Sequence, residues 1–330
     1  MSSERTPNVS GSWSEGQVRD ALGLTASSSA AQEVVFSGVA TDSRAIQSGA
    51  LFVALQGERF DGHDYLASVA QAGALGAIVR RGTPAVPPLR LFEVEDPLRA
   101  FGALARAKRR TLKGPVIAVT GTNGKTSTKQ MLAAVLGTRY QTYATRANLN
   151  NLIGVPQTIL EAPAGTEALI VEAGANLPGE IARYREIIEP TITIVTNAVA
   201  GHLEGFGSLG GVVEEKLSLT QGVPLAIVGV DPPALGEGAR VRARRVRTAA
   251  LSRADLVPDQ VSLDDSARPL ISIAGQTIRL GARGLHQADN AVRVWAVVQE
   301  LGLDPGNAAR ALALRVGGTV RLISAEDHDG

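Results

Sequence analysis

Cysteine is absent from the chain. That excludes disulfides and thiolate metal centres, leaving packing, hydrogen bonds and oxygen or nitrogen ligands to hold the fold. Aromatic residues make up only 4%, so the core has to be built from Val, Leu, Ile and Ala. Neither sign of charge dominates: 33 Lys and Arg face 32 Asp and Glu, a formal net charge of +1. No global field therefore recommends nucleic acid or an anionic membrane as a partner. No apolar run approaches the roughly 20 residues that span a bilayer. Met1 to Gly16 is polar and Ser-rich; it lacks the apolar segment of a secretion signal and is expected to be partly disordered. A length of 330 residues suggests two or three domains of a soluble, cytoplasmic protein.

What is present centres on one stretch. The apolar run Val116-Ile117-Ala118-Val119-Thr120 leads into Gly121-Thr122-Asn123-Gly124-Lys125-Thr126-Ser127, and a helical pattern follows with Met131, Leu132, Val135 and Leu136 on one face. Strand, glycine-rich turn and helix form the context that a phosphate-binding loop requires. Glycines let successive N–H groups curl toward phosphate oxygens, and the helix N-terminus adds partial positive charge. Lys125 is placed to reach the outer phosphates and the Thr126 hydroxyl to ligate Mg²⁺. The usual loop has four residues between its glycines; here there are two, Thr122 and Asn123. The competing reading is an ordinary strand-to-helix turn with a chance lysine.

Residues 1–113 read as a small α/β domain, with strands expected near Glu33 to Phe36, Ala50 to Leu55, Ala77 to Val79 and Leu91 to Val94. Pro97 to Leu112 reads as an amphipathic helix whose basic end suits the helix dipole. Gly114-Pro115 punctuates the chain. Beyond it strands and helices alternate: strands at Val116 to Thr120, Gln141 to Thr145, Ala168 to Glu172, Thr191 to Thr196 and Leu225 to Val228, with helices between. Near-continuous apolar strands separated by helices indicate a mostly parallel sheet covered on both faces. Ala239 to Arg247 reads as a solvated edge strand. Pro269 to Ile273 and Thr277 to Leu280 read as a hairpin turning at Gly275-Gln276, and the last two helices are expected up to Leu301 and Leu314. The fold class is α/β, with the second domain over 114–315 and a short remainder at 316–330.

Ligands of such sheets bind beyond the carboxyl ends of the strands. Glu172 ends an apolar strand; it is either a metal ligand or a capping acid. His202, flanked by Gly201 and further on by Gly205, is either a structural histidine or a metal contact. Lys216, by position alone, is a surface lysine.

The run Thr120 to Thr126 resembles the shortened phosphate loop of the Mur ligases, ATP-dependent amide ligases of peptidoglycan precursor synthesis. Other stretches carry the same resemblance: Thr41-Asp42-Ser43-Arg44, Gly57 to His63, Asn148-Leu149-Asn150-Asn151 through Pro156, Glu172-Ala173-Gly174-Ala175-Asn176 with Pro178 to Ile181, and His202 to Ser208. It implies a UDP-sugar-binding N-terminal domain followed by a P-loop ATPase domain, acting as a monomer with no nucleic-acid or membrane partner. It implies that Gly121, Thr122, Asn123, Gly124, Lys125, Thr126 and Ser127 hold ATP, and that Asn290 contacts adenine. It implies that Thr126 holds one Mg²⁺, that Glu172 and His202 hold another, and that Lys216 is carbamylated into a further metal ligand. Ser43, Arg44, Asn148, Asn150 and Asn151 would face the UDP-sugar. Within the family the resemblance points to the branch that adds D-Ala-D-Ala to UDP-N-acetylmuramoyl-tripeptide through an acyl phosphate. The alternatives are an amino-acid-adding member, a folylpolyglutamate-synthase-like enzyme, or a nucleotide- and UDP-sugar-binding module that does not ligate. Family members continue into a third domain. Residues 316–330 are therefore expected to be a linker stub, and turnover by this chain is expected to be impaired.

Overall fold

The structure is a computed structural model. It describes residues 9–25, 33–57, 60–199 and 206–314, with only the backbone of 9 and 10. The chain divides into two compact units, Met1–Thr111 with Pro156–Ala164, and Leu112–Val155 with Gly165–Gly330.

The first unit is a five-stranded sheet in the order β1 (Val9–Ser14), β2 (Val35–Ala40), β3 (Leu51–Val53), β4 (Gly76–Arg80), β5 (Arg90–Val94). β1 runs antiparallel to β2, and the other neighbours are parallel. Helices α1 (Glu15–Leu22), α2 (Leu66–Gln71) and α3 (Pro97–Thr111) accompany it. The expectation of disorder through Gly16 is corrected over residues 9–16. Trp13 is buried, and Ser14 caps α1 in a reciprocal pair: Gln17 N–H donates to Ser14 Oγ (3.2 Å) and Ser14 N–H to Gln17 Oε1 (2.9 Å). One large apolar side chain and a capping box order a stretch whose serine content disguised it. At the centre of this unit the buried Phe36 and Phe92 meet edge to face with centroids 5.8 Å apart. Asp61 accepts the His63 N–H (3.0 Å) and so caps the short 3₁₀ turn Gly62–Tyr65 that leads into α2.

The second unit contains a six-stranded, fully parallel sheet in the order β11 (Val246–Thr248), β10 (Leu225–Val228), β9 (Ile192–Val195), β6 (Val116–Thr120), β8 (Ala168–Glu172), β7 (Thr142–Ala144). Every residue of β6, β8, β9 and β10 is buried, as two-sided coverage demands. The chain fills β7 and β8 on one side of β6, then crosses to β9 on the other. The strand order therefore reverses at β6, which is where ligand clefts open in such sheets. The unit's helices are α4 (Lys125–Leu136), α6 (Glu180–Ile188), α7 (Leu209–Leu217), α8 (Ala234–Arg240), α9 (Leu285–Glu300) and α10 (Pro305–Ala313); α5 (Gly154–Leu160) begins in it at Gly154 and Val155 and belongs from Pro156 on to the first unit. A large core joins β6, β8 and β9 to α4, α9 and α10, with Trp295, Leu132 and Ile194 shut off from solvent.

Two expectations change here. Ala239 to Arg247 is not one strand. Its start closes α8, where Leu235 and Ala239 are buried, and only Val246–Thr248 joins the sheet, as its edge. The hairpin β13 (Pro269–Ile273) and β14 (Gln276–Arg279) turns one residue early, at Ala274 and Gly275, both with positive φ (50° and 74°). That pairing of left-handed residues is what a two-residue turn needs to follow the strand twist. A third strand, β12 (Gln260–Leu263), pairs antiparallel with β13; it is 4 residues long with none of them buried, and that brevity hid it.

Candidate active site

The site grows from the end of β6. Gly121 (φ 142°) and Gly124 (φ 82°) bracket the loop in backbone regions that a side chain rarely adopts. A Cβ on Gly121 would lie 1.9 Å from Thr196 Oγ1, and one on Gly124 2.6 Å from Asn290 Oδ1. Both glycines are therefore required by space as well as by dihedral. The loop is clamped to the end of β9. Asn197 accepts the Thr122 N–H on its backbone carbonyl (3.0 Å) and the Asn123 N–H on Oδ1 (3.0 Å), and its side-chain amide donates back to Asn123 O (3.2 Å). Thr196 Oγ1 donates to the same carbonyl at 2.6 Å. The Thr122 and Asn123 amides thus hold the loop in shape. The donors left for an anion are those that any helix leaves open at its N-terminus, here the start of α4.

Lys125, the first residue of α4, folds back over the loop, and its Nζ donates to Gly121 O (2.8 Å) and Thr122 O (3.0 Å). Burial lowers its pKa, against the pull of the Glu172 charge. One residue on, Thr126 Oγ1 lies 3.2 and 3.1 Å from Glu172 Oε1 and Oε2. The two side chains that the sequence marked, one at a helix start and one at a strand end, therefore meet. Asn150 Nδ2 donates to Glu172 Oε1 at 3.0 Å, and Lys129 Nζ pairs with Glu172 Oε2 at 3.1 Å while also donating to Ala147 O at 3.1 Å. Lys129 is a residue that sequence reasoning passed over. Lys129 carried a signal: a cation in the second turn of a helix, near its positive end, needs an acid close by.

A cavity of about 160 Å³ opens in front of the loop, lined by Lys125, Asn150, Asn151, Glu180, Tyr184 and Lys216 among others. Lys216 is not a surface lysine. It is 3% exposed, its Nζ sits 5.6 Å from the Phe206 ring centre, and burial together with the Lys125 charge lowers its pKa to about 8 against Glu215 and Glu180. Glu215 itself caps α6, accepting the Gly179 and Ile181 N–H groups at 2.8 Å each.

Asn290 is buried in the second turn of α9, with Oδ1 against Gly124 and accepting from Arg293 at 3.3 Å. Its Nδ2 has no protein partner among the described residues. Gln287 reaches Ser127 Oγ at 3.4 Å. Asn151 Oδ1 caps α5 by accepting the Ile153 and Gly154 N–H groups (3.1 and 2.8 Å); Asn148 is exposed on the same turn. Ser43 and Arg44 belong to the first unit, in the turn after β2. The Arg44 guanidinium hydrogen-bonds Asp42 (2.9 and 2.8 Å) and holds that carboxyl below its ordinary range. His202 and residues 316–330 lie outside the described residues.

The residues fit the groups they are expected to hold. The loop's glycines pack against Thr196 and Asn290, where a Cβ would clash, and the start of α4 keeps the open N–H donors that suit a phosphate. Thr126 and Glu172 offer converging hard oxygen atoms, the donor type that Mg²⁺ selects while keeping several waters. Among the described residues there is no helix long and apolar enough to cross a membrane.

The second unit is thus a parallel α/β nucleotide-binding domain of P-loop type. Residues 119–298 match the family described as Mur ligase middle domain, and residues 35–109 match Mur ligase family, catalytic domain. The chain belongs to the Mur ligase family. It is 33% identical over 287 residues to the UDP-N-acetylmuramoyl-tripeptide–D-alanyl-D-alanine ligase of Bacillus subtilis, covering 86% of this chain and 62% of that one. The MurF crystal structure from Acinetobacter baumannii superposes with a TM-score of 0.84 at 29% identity, over 97% of this chain and 72% of the other. MurF from Thermotoga maritima, solved in complex with ADP, gives 0.73 at 27% identity, over 86% and 66%. The chain spans about three fifths of the length of the first curated relatives it matches.

Proposed function

We propose that this chain forms the ATP-binding and UDP-sugar-binding parts of a ligase that joins D-Ala-D-Ala to UDP-N-acetylmuramoyl-tripeptide. The observation that carries the proposal is the meeting of Thr126 and Glu172 at 3.1–3.2 Å beside the Lys125 loop, with Lys216 lining the same cavity. The name of the Bacillus subtilis relative supports the choice of substrates.

In this reading Lys125 and the α4 N-terminus take the phosphates, and Asn290 with the start of α9 takes the adenine side. Thr126 is the oxygen donor for one Mg²⁺, and Glu172 with His202 holds a second, as the family resemblance implies. The metal, when bound, supplies charge stabilisation to the phosphoryl oxygens. Lys216 is built to gain a carboxylate. With a pKa of about 8, roughly a tenth of it is neutral at pH 7. The neutral amine adds to the carbon of CO₂, a C–O π pair moves to oxygen, and the nitrogen releases its proton. A cation thereby becomes an anionic oxygen ligand. Ser43 and Arg44 in the first unit, and Asn148, Asn150 and Asn151 in the second, are the residues that the family resemblance implies for the UDP-sugar. The substrate carboxylate attacks the γ-phosphorus and ADP leaves; the incoming amine then attacks the acyl carbon and phosphate leaves. Lys125 faces the negative charge that builds in the first step.

Calorimetry with ATP and Mg²⁺, followed by a phosphate-release assay with UDP-N-acetylmuramoyl-tripeptide and D-Ala-D-Ala, tests the reading. Nucleotide should bind the parent and lose at least tenfold in affinity in Lys125→Ala. Equal binding by the two proteins, or none by the parent, would overturn it.

A further inference from the structure

Tyr184 belongs to no motif of the sequence, yet it lines the same cavity as Lys125 and Lys216. It is 0% exposed, and its hydroxyl oxygen is buried without a hydrogen-bond partner among the described residues. The two carboxylates whose charges reach the phenol accept from backbone N–H groups. Glu215 spends both oxygens on the Gly179 and Ile181 N–H groups. Glu180 Oε2 accepts from Asn176 and Leu177 (2.8 and 3.1 Å). Burial, reinforced by the charges of Glu180 and Glu215, pushes the phenol well above its ordinary range, so the group stays protonated. A buried hydroxyl left unpaired costs stability. Phenylalanine would fill the same space without that cost.

We infer that the Tyr184 hydroxyl is a ligand-binding donor of this cavity, donating to an oxyanion held with Lys125 and Lys216. The proposal rests on the function proposed above. Two sources share the required chemistry: a phosphoryl oxygen of the bound nucleotide, and the carboxylate that CO₂ adds to Lys216.

The test is Tyr184→Phe, read by thermal unfolding of the 330-residue chain in three conditions: CO₂-free buffer, buffer with bicarbonate, and CO₂-free buffer with Mg²⁺ and a non-hydrolysable ATP analogue. In CO₂-free buffer the variant should be at least as stable as the parent. The ligand that meets the hydroxyl should then raise its melting temperature less than it raises the parent's. Titration should show binding weaker by roughly tenfold, the loss expected for one hydrogen bond to a charged group. A smaller shift with bicarbonate identifies the Lys216 carboxylate as acceptor; a smaller shift with the analogue identifies the phosphoryl group. Equal shifts in variant and parent under both ligands overturn the inference, as does a variant less stable than the parent in CO₂-free buffer, which marks the hydroxyl as structural. Failure of the analogue to shift the parent counts against the proposed function instead.

Discussion

Lys129 Nζ lies 3.1 Å from Glu172 Oε2, and the two side chains are only 5% and 2% exposed. This buried ion pair joins α4 to the end of β8, and the same ammonium holds Ala147 O, tying in the turn that carries Asn148 to Asn151. Removing one partner of such a pair strands the other charge in the interior. Lys129→Met should therefore cost about 3 kcal/mol, measured by urea unfolding with m unchanged. A loss below about 1 kcal/mol would mean that Thr126 and Asn150 suffice to hold the carboxylate. Lys129→Arg should retain more of the stability.

Gly124 and Asn290 predict a coupled pair. A methyl at Gly124 meets Asn290 Oδ1 at 2.6 Å from a backbone with φ of 82°. Gly124→Ala should cost about 1–2 kcal/mol from the left-handed backbone alone, and more from the clash. Combining it with Asn290→Ala should recover the clash and leave the backbone cost. A double-mutant cycle reads that recovery as an interaction energy of roughly 0.5–3 kcal/mol; additivity would show that the asparagine moves aside freely.

The lowered pKa of Lys216 sets a pH dependence with a definite sign. Between about 8 in the fold and its ordinary 10.5, the unfolded chain holds a proton that the folded chain has released. Stability contributed by this group therefore rises with pH across that window, and its full cost is present below it. The span amounts to about 3 kcal/mol at 1.36 kcal/mol per pH unit. Lys125 and Lys108, also lowered by burial, add slopes of the same sign. The measurement is thus the difference between parent and Lys216→Met in CO₂-free buffer. The parent's rise with pH should be the steeper, and parallel curves would refute the assignment.

Trp13 tests the order of the N-terminal stretch. It is 7% exposed on a strand where disorder was the expectation. Trp13→Ala should cost about 3 kcal/mol or more, and Ser14→Ala about 1 kcal/mol through the lost cap. Hydrogen exchange over residues 9–16 should accelerate in both. Fast exchange in the parent would contradict the strand.

How far the sequence could be read follows the physics of each signal. β6, β8 and β10 begin and end at the residues their apolar runs mark, because strands buried on both faces leave no alternation to misread. Edge elements were harder. β12 is exposed along most of its 4 residues, so the alternation of Val261 and Leu263 with polar neighbours is too short to announce it. The end of α8, Ala239 and Arg240, was read into a strand because a short Ala- and Arg-rich run carries neither period clearly. Of the site, Lys125, Thr126 and Glu172 were legible because a phosphate loop and a strand-terminal acid are local patterns.

The sequence by itself determined the class of fold, the place of the nucleotide loop and the glycines that shape it, since these depend on neighbours a few residues away. Only the tertiary structure decided which distant groups meet there. Sheet order sets β8 and β9 on either side of β6. That order brings Glu172 to Thr126 and Lys129, and clamps Asn197 on the loop. Helix packing turns Lys216 from a surface residue into a buried amine with a lowered pKa, and leaves the Tyr184 hydroxyl beside it without a partner. Desolvation and pairing are properties of surroundings, and those surroundings come from residues tens of positions away in the chain.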